Sequence, residues 1–270
     1  MRPLQKLPEP DTSQSIQQDL DRPTAVQIYQ QVSRIAKGEL SRPNKALALS
    51  GLVGGLTMGL TALAVSTVTA ALGHGSAALF TAYLLYPLGF MAVILGRGQL
   101  FTENTLYPVA LILAERRHFL ATLRLWSIVF PANIAGALLF ALLCARTGAL
   151  QPQILAAMTD FGTVAAGVPP SHVFWSGVVG GWIIAMVAWL VSGSHSITGS
   201  VAIIWSLTFI VGLGHFAHCI ATSGEILAAV LSNQLSALTY LKWLLPATAG
   251  NITGGVLLVT LLEYGQAKLD

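Results

Sequence analysis

Ser50-Gly51-Leu52-Val53-Gly54-Gly55 returns in the second half of the chain as Ser176-Gly177-Val178-Val179-Gly180-Gly181. A second motif, Asn133-Ile134-Ala135-Gly136-Ala137, is echoed by Asn251-Ile252-Thr253-Gly254-Gly255. Between the members of each pair lies an apolar region too long for one straight span and interrupted midway. The first interruption reads Leu95-Gly96-Arg97-Gly98-Gln99-Leu100-Phe101-Thr102-Glu103-Asn104-Thr105, and the second runs from Val211 to Glu225. One matched hexamer could be coincidence in a glycine-rich chain. Two matched pairs flanking two matched interruptions, in the same order, indicate an internal repeat.

Six regions carry the roughly 20 apolar residues that crossing a bilayer requires: 46–72, 78–114, 119–145, 172–192, 199–233 and 238–262. Three spans per half is an odd number, so the second half runs through the membrane upside down relative to the first. The expected fold is therefore an all-α integral membrane protein. It has six transmembrane helices in two inverted three-helix repeats, with helices two and five broken, an arrangement that places a pathway where the breaks meet. The glycines of the matched hexamers suit close helix packing in lipid.

Composition agrees. Of 270 residues, 54% are hydrophobic and only 9% charged, and mean hydropathy is +0.69. Soluble domains carry about a quarter charged residues, which argues against an ordinary cytosolic enzyme. A net charge of +3 reflects few acids rather than many bases, so no nucleic-acid partner is expected. Cys144 and Cys219 both lie in apolar runs and form neither a disulfide framework nor a metal cluster. No metal, cofactor or catalytic residue is expected.

Residues 1–44 read as an N-terminal tail without a cleavable signal, residues 45–262 as the transmembrane domain and residues 263–270 as a C-terminal tail. Within the first tail, Val26, Tyr29, Val32, Ala36 and Leu40 fall on one face of a helix over 25–40. That helix lies on the membrane face or against the spans, or else is solvated. Eleven of the 14 basic residues fall in or immediately flank the two tails and the turn between spans two and three, which places both termini in the cytoplasm.

Ionisable residues at membrane depth are functional candidates: Arg97, Glu103, His215, His218 and Glu225. Arg97 and Glu103 suit an ion pair bracing the first break as well as transport chemistry. His215 suits a cap on a broken helix end. Glu225 either faces the pathway or bonds a neighbouring helix.

At the two breaks the chain resembles the formate/nitrite transporter family, pentameric channels with an aquaporin-like protomer. Leu100-Phe101-Thr102 is similar to the family's loop motif in the broken second helix. His218-Cys219-Ile220-Ala221 is similar to the segment carrying its central histidine, and the two asparagine motifs to its third- and sixth-helix signatures. The run Ile94–Thr105 is closer still to a less characterised branch of that family. The resemblance covers roughly 25–262.

It implies a homopentamer in a bacterial inner membrane that carries a small monovalent weak-acid anion. Phe90, Leu100 and Phe101 would form apolar constrictions, Thr102 would face the centre and His218 would assist passage. Gly181 and Thr222 stand where the family has asparagines, and Val211 stands at its phenylalanine gate. Two further readings stay open. Glu103 and Glu225, if ionised in the pathway, would favour cations over anions and point to a cation or neutral-solute channel. A receptor or scaffold on the same fold would have lost conduction.

Overall fold

A computed structural model describes residues 23–269; the tail bases Arg2, Lys6 and Arg22 lie outside the described residues. The regular structure among those residues is all helical, with no strand. Helix α1 spans Ala25–Ser41, α2 Asn44–Leu72, α3 Ser76–Tyr83, α4 Pro87–Leu95, α5 Tyr107–Glu115 and α6 Phe119–Arg146. In the second half α7 spans Pro152–Ala166, α8 Pro170–Ser192, α9 Ile197–Leu213, α10 Ala221–Leu231 and α11 Ala237–Thr253. A π-helical turn, Gly254–Thr260, joins α11 to α12, Leu261–Leu269. Five helical stretches are long and apolar enough to cross a membrane: α2, α3 with α4, α6, α8 and the run from α11 to α12. The region 199–233 is instead two short apolar helices, α9 and α10, separated by a loop.

Helix α1 starts at a capping box: the Thr24 hydroxyl accepts from the Gln27 amide, and the Gln27 side chain accepts from the Thr24 amide. Its apolar face, led by Val32 and Ala36, is buried against the spans rather than solvated. The Tyr29 hydroxyl donates to the Ala110 carbonyl at 2.8 Å. At the far end Arg124 donates to the Leu40 carbonyl and to Asn44.

One acidic group gathers the turn between α5 and α6. Glu115 receives Lys37 at 2.6 Å, Arg117 at 2.6 Å and His118 at 3.0 Å. The Lys37 ammonium, then His118 and Arg117, lower its pKa from 4.5 to about 2. A depressed carboxylate contributes in full above its ordinary value and is lost as pH falls through the folded one. The separation of α1 from α5, read by paired spin labels, is therefore expected to stay constant across the neutral range. It should widen only as pH falls from 4.5 toward 2.

Close helix packing comes from the matched glycines. A Cβ at Gly55 of α2 would run into the Asn133 carbonyl of α6, and one at Gly136 into the Leu52 carbonyl. In the second half a Cβ at Gly181 of α8 would meet the Asn251 carbonyl of α11, and one at Gly254 the Val178 carbonyl.

Two features lie beyond the sequence reading. Helix α7 occupies the connection between spans three and four, opening on Pro152 at its first turn and burying Ala157, Met158, Thr159 and Gly162. And helix runs on through Leu269 rather than stopping at 262.

Candidate functional site

Both breaks begin with the same backbone turn. After α4 the Gly98 amide donates to the Val93 carbonyl at 2.9 Å, with Arg97 left-handed at φ 59°. After α9 the Phe216 amide donates to the Val211 carbonyl at 3.0 Å, with His215 left-handed at φ 52°. This is the six-to-one bond that closes helix C-termini, made without glycine at the left-handed position. Placing any side chain with a Cβ there costs about 1 kcal/mol or more.

Both breaks are then held by an asparagine. Asn133 accepts from the Phe101 amide at 2.8 Å and donates to the carbonyls of Gly51 and Gln99 at 2.7 and 2.8 Å. Asn251 accepts from the Cys219 amide at 2.9 Å and donates to the carbonyls of Gly177 and Ala217 at 2.8 and 2.9 Å. Each asparagine thus satisfies backbone groups that a broken helix leaves open. Irregular backbone at membrane depth requires such partners.

Where the broken helices meet, the Thr102 hydroxyl lies 2.9 Å from His218 Nε2. His218 Nδ1 accepts from the Ala221 amide at 3.0 Å, so the ring orients itself on the first turn of α10. With Nδ1 an acceptor, the neutral ring carries its proton on Nε2 and donates to Thr102. Phe90 presents its ring edge-to-face to His218 at 5.1 Å. Phe90, Thr102, Val211 and His218 are all 0% exposed, and Leu100 is 1% exposed, so this is a closed apolar neck around one polar pair.

Two cavities adjoin the breaks, one bounded by Leu100 and the other by Val211. The first, about 410 Å³, is lined by Leu100, Arg97, Glu103 and His195 together with Gln31 and Glu39 of α1. The second, about 420 Å³, is lined by Val211, Thr222, Glu225 and His215 together with Tyr83 and Tyr86.

The structure brings together most of the residues singled out from sequence. Phe101 is different: its ring turns away to pack on Trp126 and Phe130 of α6, at 5.6 and 4.8 Å. The expected Arg97–Glu103 ion pair is not formed. Arg97 is exposed and has no acidic partner among the described residues, while Glu103 is 8% exposed. The reason is the left-handed turn at Arg97, which stabilises the break through backbone bonds and leaves the guanidinium at the cavity mouth. His215 does not cap a helix with its ring; Nδ1 meets the Tyr83 hydroxyl at 3.2 Å. Glu225 bonds no neighbouring helix through its carboxyl among the described residues, and it lines the second cavity. Gly181 packs on the Asn251 backbone and leaves no room for a side chain.

Sequence reasoning missed Tyr83 and Tyr86, which carry a chain of ring contacts from His215 to Phe90. They sit in an apolar run, where aromatics ordinarily read as packing.

The family model "Formate/nitrite transporter" matches residues 26–265. "Inner membrane protein YfdC" of Escherichia coli (strain K12) is 28% identical over 97% of this chain and 86% of its own. A solved "FNT family ion channel" superposes with a TM-score of 0.78 at 18% identity, over 90% of this chain and 98% of that one. A "Pentameric formate channel with formate bound" gives a TM-score of 0.70 at 18% identity, over 84% of this chain and 98% of that one.

Proposed function

Because this chain belongs to the formate/nitrite transporter family, we propose that it carries a small monovalent weak-acid anion such as formate or nitrite across the membrane. The observation that supports this best is the polar pair Thr102–His218 buried among apolar side chains, with one cavity reaching Leu100 and another reaching Val211.

The obstacle for such an anion is dehydration at the neck. The first turn of α10 starts beside the neck, and the partial positive charge of a helix N-terminus favours a negative solute. His218 donates to Thr102 Oγ1, which leaves the Thr102 O–H free to donate to the solute. The histidine serves as an oriented donor that keeps its charge, because its second nitrogen is committed to the Ala221 amide. Phe90, Leu100 and Val211 form the apolar constriction, with Thr222 on the second-cavity side.

The reading extends to architecture. The two halves are inverted repeats related by a two-fold axis in the membrane plane, with both termini cytoplasmic. The protomer is aquaporin-like and assembles as a pentamer, as the solved formate channel does. Its outward apolar side chains, among them Leu60, Leu120 and Trp175, face lipid or a neighbouring protomer.

One preparation tests all of this. Purified protein in proteoliposomes should carry formate or nitrite but not ammonium, and its native mass should be that of five chains. An impermeant thiol reagent should reach a cysteine placed at Gly265 only from the side corresponding to the cytoplasm. His218→Phe should reduce anion flux by about 100-fold, while His218→Asn, which keeps a donor, should retain most of it with the wild-type pH profile. Wild-type flux in His218→Phe would remove the histidine from the mechanism. Ammonium flux without anion flux would favour the cation reading that the two carboxyl groups also suit.

A further inference from the structure

Each cavity is lined by a glutamate whose carboxyl has no partner among the described residues. Glu103 follows Thr102 directly, is 8% exposed and lines the first cavity. Glu225 stands one turn into α10 and lines the second. Neither makes an ion pair or a side-chain hydrogen bond among the described residues, although these bond most other buried polar groups. Glu225 is half-buried, and neither glutamate is among the fully enclosed polar atoms that lack a partner, so both carboxyls open onto their cavities, where a solute can reach them. The histidine between them has no free nitrogen: Nε2 is bonded to Thr102, and Nδ1 to the Ala221 amide.

Resting on the anion reading above, we propose that Glu103 and Glu225 exchange the proton that lets the anion cross the neck as its neutral acid. In one direction, the O–H bond of the Glu103 carboxylic acid breaks and its proton passes to the entering anion. The neutral acid crosses the apolar neck past Thr102 and His218. The Glu225 carboxylate then takes the proton and the anion leaves. Hydronium from the first aqueous side restores Glu103, and water on the second side accepts the proton from Glu225. One anion and one proton move together, and the cycle runs equally well in reverse.

The surroundings fit. Around Glu103 stand Arg97, Glu39, His195 and Tyr107. Glu39 is already paired with Arg42 at 2.8 Å, so Arg97 remains to draw an anion to the carboxyl. Around Glu225 stand His74, His172, His215, Asp160 and Tyr83, and His215 is tied to Tyr83.

The test is formate uptake into proteoliposomes under an imposed pH gradient, with Glu103→Gln, Glu225→Gln and the matching aspartate variants. Each glutamine variant should lose roughly 100-fold in uptake, the low end of what a positioned proton donor contributes, and its pH profile should flatten. The aspartates should restore uptake with a shifted profile. Unchanged or faster uptake in the glutamine variants would overturn the proposal, since it would mean that the carboxylates merely repel anions. Should those variants fail to fold, infrared difference spectra of the wild type decide: adding formate should bleach a protonated-carboxyl stretch, and its absence overturns the proposal. A wild type that carries no anion at all overturns both readings, whereas anion flux indifferent to Glu103 and Glu225 overturns this one alone.

Discussion

Asn133→Ala and Asn251→Ala will each cost the protein its stable fold. Each substitution strips three hydrogen bonds at once and leaves one amide and one carbonyl of the break buried without partners, since Gly51 and Gly177 lie inside α2 and α8 and keep their helical bonds. A buried polar group left unmade costs about 1–3 kcal/mol, so each variant stands to lose on the order of 3 kcal/mol or more. No water reaches these sites to compensate, since both asparagines are 0% exposed. Asn133→Asp is the informative partner variant. It keeps the acceptor for the Phe101 amide but turns a carboxylate oxygen toward the carbonyls of Gly51 and Gln99. It should be no better than alanine. Thermal unfolding in detergent, followed by fluorescence-detected size exclusion, measures all three. An alanine variant that unfolds within a degree or two of wild type would show that the breaks hold themselves.

Gly55→Ala and Gly181→Ala are expected to be as damaging for a different reason. The added methyl would meet a main-chain carbonyl, that of Asn133 or Asn251, rather than a side chain able to swing away. Two helices would have to part, and parting them also pulls the asparagine from its break. Overpacking usually costs about 1–3 kcal/mol; here the backbone cannot yield locally, and the loss should reach or exceed the top of that range. Gly38→Ala supplies the control. Nothing lies within 4 Å of a Cβ there, and the position is inside α1. Removing a helix-interior glycine should stabilise by about 0.5–1 kcal/mol. Equal melting temperatures for Gly55→Ala and Gly38→Ala would refute the close-contact argument.

These two pairs of positions also show how far the linear chain can be read. The glycine hexamers and the asparagine motifs stand out as repeated words, and their partnership is legible because small residues and buried amides have few uses in a helix facing lipid. What each asparagine bonds is not legible. Its three partners come from α2 or α8 and from the breaks, up to 82 residues away, and only packing brings them into reach. Helix α7 was hidden because its 15 residues are too few to span a membrane, so the segment read as a connection.

The charges divide in the same way. That Arg97, Glu103, His215, His218 and Glu225 lie at membrane depth follows from their apolar flanks, since the cost of burying charge applies wherever the chain folds. Which of them meet is a matter of backbone path. Arg97 and Glu103 are near neighbours in the chain, yet a left-handed turn keeps them unpaired, while Thr102 and His218, far apart in the chain, close to 2.9 Å. Local composition determines what can be buried, because transfer from water depends on the residue alone. The tertiary structure decides what answers it there, because hydrogen bonds and ion pairs act over a few ångströms between segments whose separation in the chain says nothing of their distance in space.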